Sequence, residues 1–124
     1  MKKSNESREM YLKTIMTLEK SIPKVRNTDI AQALSYSKPS VTRAVRKLIE
    51  DGLIVNDKKN GISLTSLGRK TTEGLVQRYN VIYDFLIAIG AEKNTAEETA
   101  CRIEHMITDE LFDLIQNALI KGYI

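Results

Sequence analysis

The chain is 124 residues long, 42% hydrophobic and 28% charged, which suits one compact soluble unit or a small domain with an appendage; no run approaches the ~18 apolar residues that a membrane span needs, so no membrane partner is expected. The opening Met1-Lys2-Lys3-Ser4 runs into polar Asn5-Glu6-Ser7-Arg8 rather than an apolar signal segment, and a single cysteine excludes an internal disulfide, both pointing to the reducing cytoplasm. The net charge of +3 is uneven: residues 1–60 hold 13 Lys/Arg against 7 Asp/Glu (+6) and residues 61–124 hold 6 against 9 (−3), a basic front half fit for nucleic acid and an acidic back half that tolerates cations.

A first helix is predicted from about Asn5 to Lys20: Tyr11, Ile15 and Leu18 recur at helical spacing, Leu12 and Met16 widen the stripe, and Pro23 ends it. Thr28 is expected to cap a short helix from Asp29 to Leu34, after which Ser35-Tyr36-Ser37 turns the chain. A third helix starts near Pro39, which suits the first helical position because its missing N–H would have been unpaired anyway. Val41, Val45, Leu48 and Ile49 form its apolar face, and Gly52 stops it.

Leu53-Ile54-Val55 and Ile62-Ser63-Leu64 then read as two strands of a hairpin, joined through Asp57-Lys58-Lys59-Asn60-Gly61 by an Asn-Gly turn with a basic tip. Thr65 caps a long helix reaching Ile89, with Leu75, Tyr79, Ile82, Leu86 and Ile89 stepping by fours and threes as a seam for another helix. Gly90 stops it, and Asn94 or Thr95 caps the next helix. A last amphipathic helix carries Leu111, Leu114, Ile115, Ala118 and Leu119.

Helix, short helix, turn, helix and basic hairpin is the order of a winged helix-turn-helix. The expected fold is therefore mainly α: residues 1–70 a winged helix-turn-helix of three helices and a two-stranded wing, residues 71–124 an all-helical domain for dimerisation and metal binding. The partner this implies is double-stranded DNA. Ser37, Lys38, Pro39, Ser40, Thr42, Arg43, Arg46 and Lys47 lie on or near the third helix's polar face. Hydroxyls at its N-terminus suit phosphate, and Arg43 is placed to reach base edges, because a guanidinium forks onto guanine. Arg46, Lys47, Lys58 and Lys59 are expected on phosphates, which raises affinity without reading sequence. A solvated basic face on a protein-binding winged helix is the bland alternative, and the basic wing tip counts against it.

Cys101, Glu104 and His105 include the only cysteine and the only histidine, and at i, i+3 and i+4 they leave one helix face. Thiolate, carboxylate and imidazole suit a divalent transition metal better than calcium or magnesium. The bland reading is a buried Cys acting as a small hydrophobe beside two surface residues. An enzyme reading would make Glu104-His105 an acid/base pair and Cys101 a nucleophile. Nothing Gly-rich surrounds Cys101 to form an oxyanion hole, and no second histidine serves both roles, so no enzyme is expected.

Ser37-Lys38-Pro39-Ser40-Val41-Thr42-Arg43-Ala44-Val45, Glu50-Asp51-Gly52-Leu53, Leu64-Thr65-Ser66-Leu67-Gly68 and Glu9-Met10-Tyr11-Leu12 resemble the winged helix of the iron- and manganese-dependent repressors of the diphtheria-toxin-repressor type. Ala100-Cys101-Arg102-Ile103-Glu104-His105 resembles that family's metal-binding helix, in a short form without an SH3-like domain. The resemblance implies a homodimer whose metal-bound form grips a palindromic operator of metal-homeostasis genes as a repressor. It also implies a ligand set of Met10, Cys101, Glu104 and His105. The Met10 and Cys101 choice resembles the iron-type branch, and Lys13 would oppose a hard cation, placing iron(II) first and manganese(II) second. The family's second site falls on Tyr79, Tyr83 and Glu97, and phenols with pKa near 10 are poor ligands, so that site is expected to be lost or reduced to Glu97 or Glu98. The alternative is a metal-independent winged-helix regulator with a degenerate site.

Overall fold

A computed structural model describes residues 2–122, with side chains from Arg8 onward. Along the chain run α1 (Lys2–Ser21), α2 (Asn27–Leu34), α3 (Lys38–Glu50), β1 (Ile54–Asp57), β2 (Gly61–Leu64), α4 (Ser66–Ala88), α5 (Lys93–Met106) and α6 (Asp109–Lys121). This is a winged helix-turn-helix followed by helices. Contacts divide it into two units, residues 1–73 and residues 74–124.

The first unit is built around one dry core. Leu12, Ile15, Ile30, Val41, Val45, Leu48, Ile54 and Ile62 are each at most 4% exposed and come from all three helices and both strands. Burying each such side chain is worth about 1.5–3 kcal/mol. Ser37 caps α3, its Oγ accepting from the Ser40 N–H at 3.3 Å, with Pro39 in the first turn. At its far end the chain leaves through Gly52, whose φ of +77° is the left-handed turn that only glycine adopts freely. Ile49 is not part of the core: at 41% exposed it lies beside the stripe formed by Val41, Val45 and Leu48.

Two expected caps are replaced. Helix α2 begins at Asn27, one residue before Thr28, because the Asp29 carboxylate reaches back to accept the Arg26 N–H at 2.8 Å. Helix α5 begins at Lys93 with Glu92 at the cap position, ahead of Asn94 and Thr95.

The strands pair antiparallel with Ile54 opposite Leu64 and Asp57 opposite Gly61. Lys58, Lys59 and Asn60 therefore form a three-residue tip, not a two-residue Asn-Gly turn. Gly61 opens β2 at φ +79°, and a Cβ there would lie 2.6 Å from the Val25 carbonyl oxygen. That close approach lets Val25 bridge to the wing and accept the Ile62 N–H at 2.9 Å.

Thr65 caps α4 as expected, its Oγ1 accepting from the Gly68 N–H at 3.0 Å and donating to the Gly52 carbonyl at 2.7 Å. Helix α4 stops at Ala88, so Ile89 lies beyond it and is exposed.

Among the described residues of the second unit, the buried ones are Ile82, Ala96, Ala100 and Glu104. Arg78 of α4 holds the α5–α6 junction: it donates to the Ile107 carbonyl at 3.4 Å, pairs with Asp109, and lies 5.0 Å from the Phe112 ring centroid. Thr108 caps α6 by accepting the Leu111 N–H at 3.2 Å. No residue of α6 is buried.

Candidate metal centre and nucleic-acid interface

In the first unit Lys38, Pro39, Thr42, Arg43, Arg46 and Lys47 are exposed on α3, with Val41, Val45 and Leu48 turned into the core. The hydrophobic stripe thus fixes which way the basic face points. Ser37 and Ser40 are tied to each other, Oγ to Oγ at 2.9 Å, so the cap occupies part of their hydrogen-bonding capacity. The Arg43 guanidinium lies 3.5 Å from the Ser40 hydroxyl. Lys47 pairs with Asp51 at 3.4 Å, and Arg8 reaches the same carboxylate at 3.6 Å; exposed pairs of this kind are worth about 0–1 kcal/mol and leave Lys47 able to turn to a phosphate. Lys58 and Lys59 are exposed at the wing tip.

Two basic residues that sequence reasoning passed over join this surface. A cleft of about 430 Å³ between the wing and the start of α2 is lined by Lys24, Arg26, Asn27, Thr28 and Lys58, with Asp57 as its one carboxylate. The Lys24 ammonium donates to the Lys58 carbonyl at 2.6 Å. Asn27 links the cleft to α3 through Thr42, at 3.5 Å. The signal in the sequence was the charge excess of the front half, without a motif to place it.

Beneath the reading helix, the Tyr11 and Tyr36 rings meet edge to face with centroids 5.7 Å apart. Burial, with Tyr36 adding to it and Arg43 opposing, pushes the Tyr11 phenol above its ordinary value near 10.

In the second unit Ala96, Ala100 and Glu104 form a buried stripe along α5, at i, i+4 and i+8. The third position of such a stripe ordinarily takes an apolar side chain, yet here a carboxylate stands 5% exposed. A buried carboxylate needs donors, a proton or a cation, since leaving it bare costs several kcal/mol. Cys101 and His105 flank it, both half-buried, and Glu97 lies one turn before Cys101 on the exposed side.

Tyr79 of α4 sits against this group. Burial, and then the nearby Glu97, Cys101, Tyr83 and Glu104, raise its phenol above the usual value near 10. Its ring stacks on Tyr83 with centroids 6.1 Å apart. Tyr79 is thus a neutral phenol at physiological pH and contributes no anionic donor. The donors on α5 fit a divalent transition ion: a thiol, a buried carboxylate and an imidazole within one turn. Met10, the remaining expected donor, stands on α1 in the first unit and is 40% exposed.

A basic reading helix with a wing, and a helix carrying soft and hard donors around a buried carboxylate, define a metal-dependent DNA-binding regulator. The chain matches the iron dependent repressor N-terminal DNA binding domain over residues 4–62 and the iron dependent repressor metal binding and dimerisation domain over residues 65–121; it belongs to the iron dependent repressor family, whose members are transcriptional regulators and not enzymes.

It is 36% identical over 114 residues to the HTH-type transcriptional regulator MntR of Lysinibacillus sphaericus (strain C3-41), covering 89% of this chain and 82% of that protein. Among solved structures it is similar to the metal-dependent transcriptional regulator MtsR, with a TM-score of 0.84 at 30% identity, over 90% of this chain and 53% of that one. It is also similar to the apo form of the manganese-activated repressor ScaR, with a TM-score of 0.79 at 33% identity, over 88% and 52% of the two chains. The chain thus spans about half the length of these two solved regulators.

Proposed function

We propose that this regulator represses metal-ion homeostasis genes in the cytoplasm as a homodimer on a palindromic operator, with Cys101, Glu104 and His105, joined by Met10, as its metal donors. The observation that carries the reading is Glu104, a carboxylate in a helix stripe otherwise made of alanine. A divalent ion is a natural counter-charge for a carboxylate so enclosed, with thiol and imidazole on the same helix face.

Cys101 donates as thiolate and His105 as neutral imidazole, so metal affinity falls in acid. Met10 adds a thioether from α1, and metal binding is linked to DNA binding. That linkage changes DNA affinity only as far as the ion prefers the linked state, and about 1–3 kcal/mol, or about 5–150-fold, is typical. On donor chemistry the sulfurs place iron(II) first and manganese(II) second. Similarity to a manganese-activated repressor weighs for manganese. With the Tyr79 phenol raised by burial and its ring stacked on Tyr83, Glu97 or Glu98 alone remains for a second ion, so one ion per chain is expected.

On the DNA side, Arg43 reads base edges, with Ser37, Lys38, Pro39, Ser40 and Thr42 around it. Arg46, Lys47, Lys58 and Lys59 hold phosphates, and Lys24 and Arg26 extend that line into the cleft. Homodimerisation draws on Ile87, Ile89, Leu111, Leu114 and Ile120, large apolar side chains exposed in the second unit.

The test is DNA binding by purified protein, kept anaerobic, against a partly palindromic duplex with iron(II), manganese(II) or zinc(II) added in turn. Binding is expected only with metal and is lost in Cys101→Ala. Binding indifferent to metal would remove the ligand assignment and leave the winged helix standing.

A further inference from the structure

In an antiparallel pair, successive residues aim their N–H groups alternately toward and away from the partner strand. On β2 the outward N–H groups belong to Ile62 and Leu64, and neither is left to water. The Val25 carbonyl accepts the first at 2.9 Å. The second donates to Glu19 Oε2 at 2.6 Å. Glu19 lies near the end of α1, so one carboxylate oxygen does for the base of the wing what a third strand would do.

Its other oxygen, Oε1, accepts from the Arg69 guanidinium at 3.0 Å, in the first turn of α4. The Glu19 side chain is only 15% exposed, against 44% for Arg69. Hydrogen bonds to an ionised carboxylate are roughly twice as strong as neutral ones, and partial burial strengthens them further.

We infer that Glu19 is a positioning residue for DNA binding: it fixes the tilt of the wing against α1 and ties that tilt to the start of α4. Two anchors, at Ile62 and Leu64, hold the strand at points about 7 Å apart. With Val25 alone the strand pivots, and Lys58 and Lys59 at the tip lose their set height beside α3. Ile54, Ile62 and Leu64 remain in the core in either case, so losing the carboxylate changes the pose of the wing more than its folding. The inference rests on the reading that the wing tip meets phosphate.

A double-mutant cycle tests both statements. Lys59→Ala is made in the wild-type chain and in Glu19→Ala, and binding to a specific and a scrambled duplex is followed over a range of salt. In the wild-type background Lys59→Ala is expected to weaken both duplexes alike and to lower the slope of log K against log salt by about 0.9, one phosphate contact. In Glu19→Ala the same change is expected to cost at least about threefold less and to leave the slope unmoved.

A merely structural Glu19 would lower the melting temperature and leave the Lys59→Ala penalty intact; full additivity therefore overturns the inference. A silent Lys59→Ala in the wild-type chain overturns the wing reading, and the inference with it. Should Glu19→Ala not fold, Glu19→Gln takes its place. It keeps an acceptor for Leu64 and loses the charge facing Arg69, a partial loss of coupling is expected, and additivity again overturns.

Discussion

In the described part of residues 1–73 thirteen apolar side chains from three helices, both strands and the adjoining loops are buried together, while the exposed face of α3 and the wing tip are left basic. In the described part of residues 74–124 the buried side chains are one isoleucine, two alanines and a glutamate, and two leucines and an isoleucine stand more than half exposed on α6. The first unit closes a hydrophobic core of its own and offers surplus positive charge. The second offers surplus apolar surface and a carboxylate where a core residue belongs. What each unit presents indicates what completes it: phosphates for the first, a second copy and a cation for the other.

The change expected to damage the first unit most is Gly68→Ala. A Cβ there would fall 1.9 Å from the Leu53 carbonyl oxygen, and backbone on both sides leaves nothing flexible to yield. A loss of at least about 4 kcal/mol in a denaturant titration is expected, at the extreme of single substitutions. A loss under about 1 kcal/mol would mean that the start of α4 is not locked onto the winged helix.

A matched pair sharpens the contrast. Leu12→Ala should cost about 2–5 kcal/mol by opening a cavity in the closed core. Leu114→Ala, at a position 56% exposed, should cost under about 1 kcal/mol in the monomer, because little is buried there to lose. Leu114→Glu should leave helical circular dichroism unchanged and shift sedimentation toward the monomer. Unchanged sedimentation would place the dimer surface elsewhere.

Glu104→Gln probes the buried carboxylate itself. Thermal stabilisation by added metal, and the roughly 5–150-fold gain in DNA affinity, should both disappear while the metal-free protein stays folded. Retention of either response in this variant would detach Glu104 from the centre.

The smallest expected effect lies at alkaline pH. Tyr11 in the first unit and Tyr79 in the second both have phenols raised above 10, burial being the leading cause in each. A raised folded-state value means that the folded protein binds more protons than the unfolded chain above pH ~10, so the stability these groups contribute is complete below ~10 and is lost as pH climbs through the folded values. Tyr11→Phe and Tyr79→Phe should each flatten the alkaline limb of a stability–pH curve, and a curve unchanged in both would show that neither phenol carries it.

Much of the first unit was legible because its signals are local. Ser37 and Pro39 before an apolar stripe start α3, Gly52 ends it, and two short β-branched runs make the wing; each depends on residues within a turn of one another. The misplaced details have distant or competing causes. Asp29 moved the α2 cap back from Thr28 to Arg26. Val25, some 35 residues away in the chain, holds Gly61 as the first residue of β2 and so takes it out of the turn. Ile49 reads as apolar in the pattern but sits at the edge of the stripe.

For the candidate site, the i, i+3, i+4 spacing of Cys101, Glu104 and His105 placed all three on one helix face from the chain alone, since helical geometry dictates it. Their burial did not follow from that spacing. That Glu104 is enclosed and Glu97 exposed depends on what packs over α5, and the cleft containing Lys24 and Arg26 exists only because the wing folds back against the loop before α2.

By itself, then, the order of residues determined the elements, their polar and apolar faces, and the donor and basic residue types available, all properties of neighbours along the chain. Tertiary structure alone decided how individual polar groups are used: Glu19 on a strand edge and a guanidinium, Gly68 under a carbonyl, Glu104 in the core. Those assignments join residues up to fifty positions apart, and the burial that makes each contact strong is created only when the chain has closed around it.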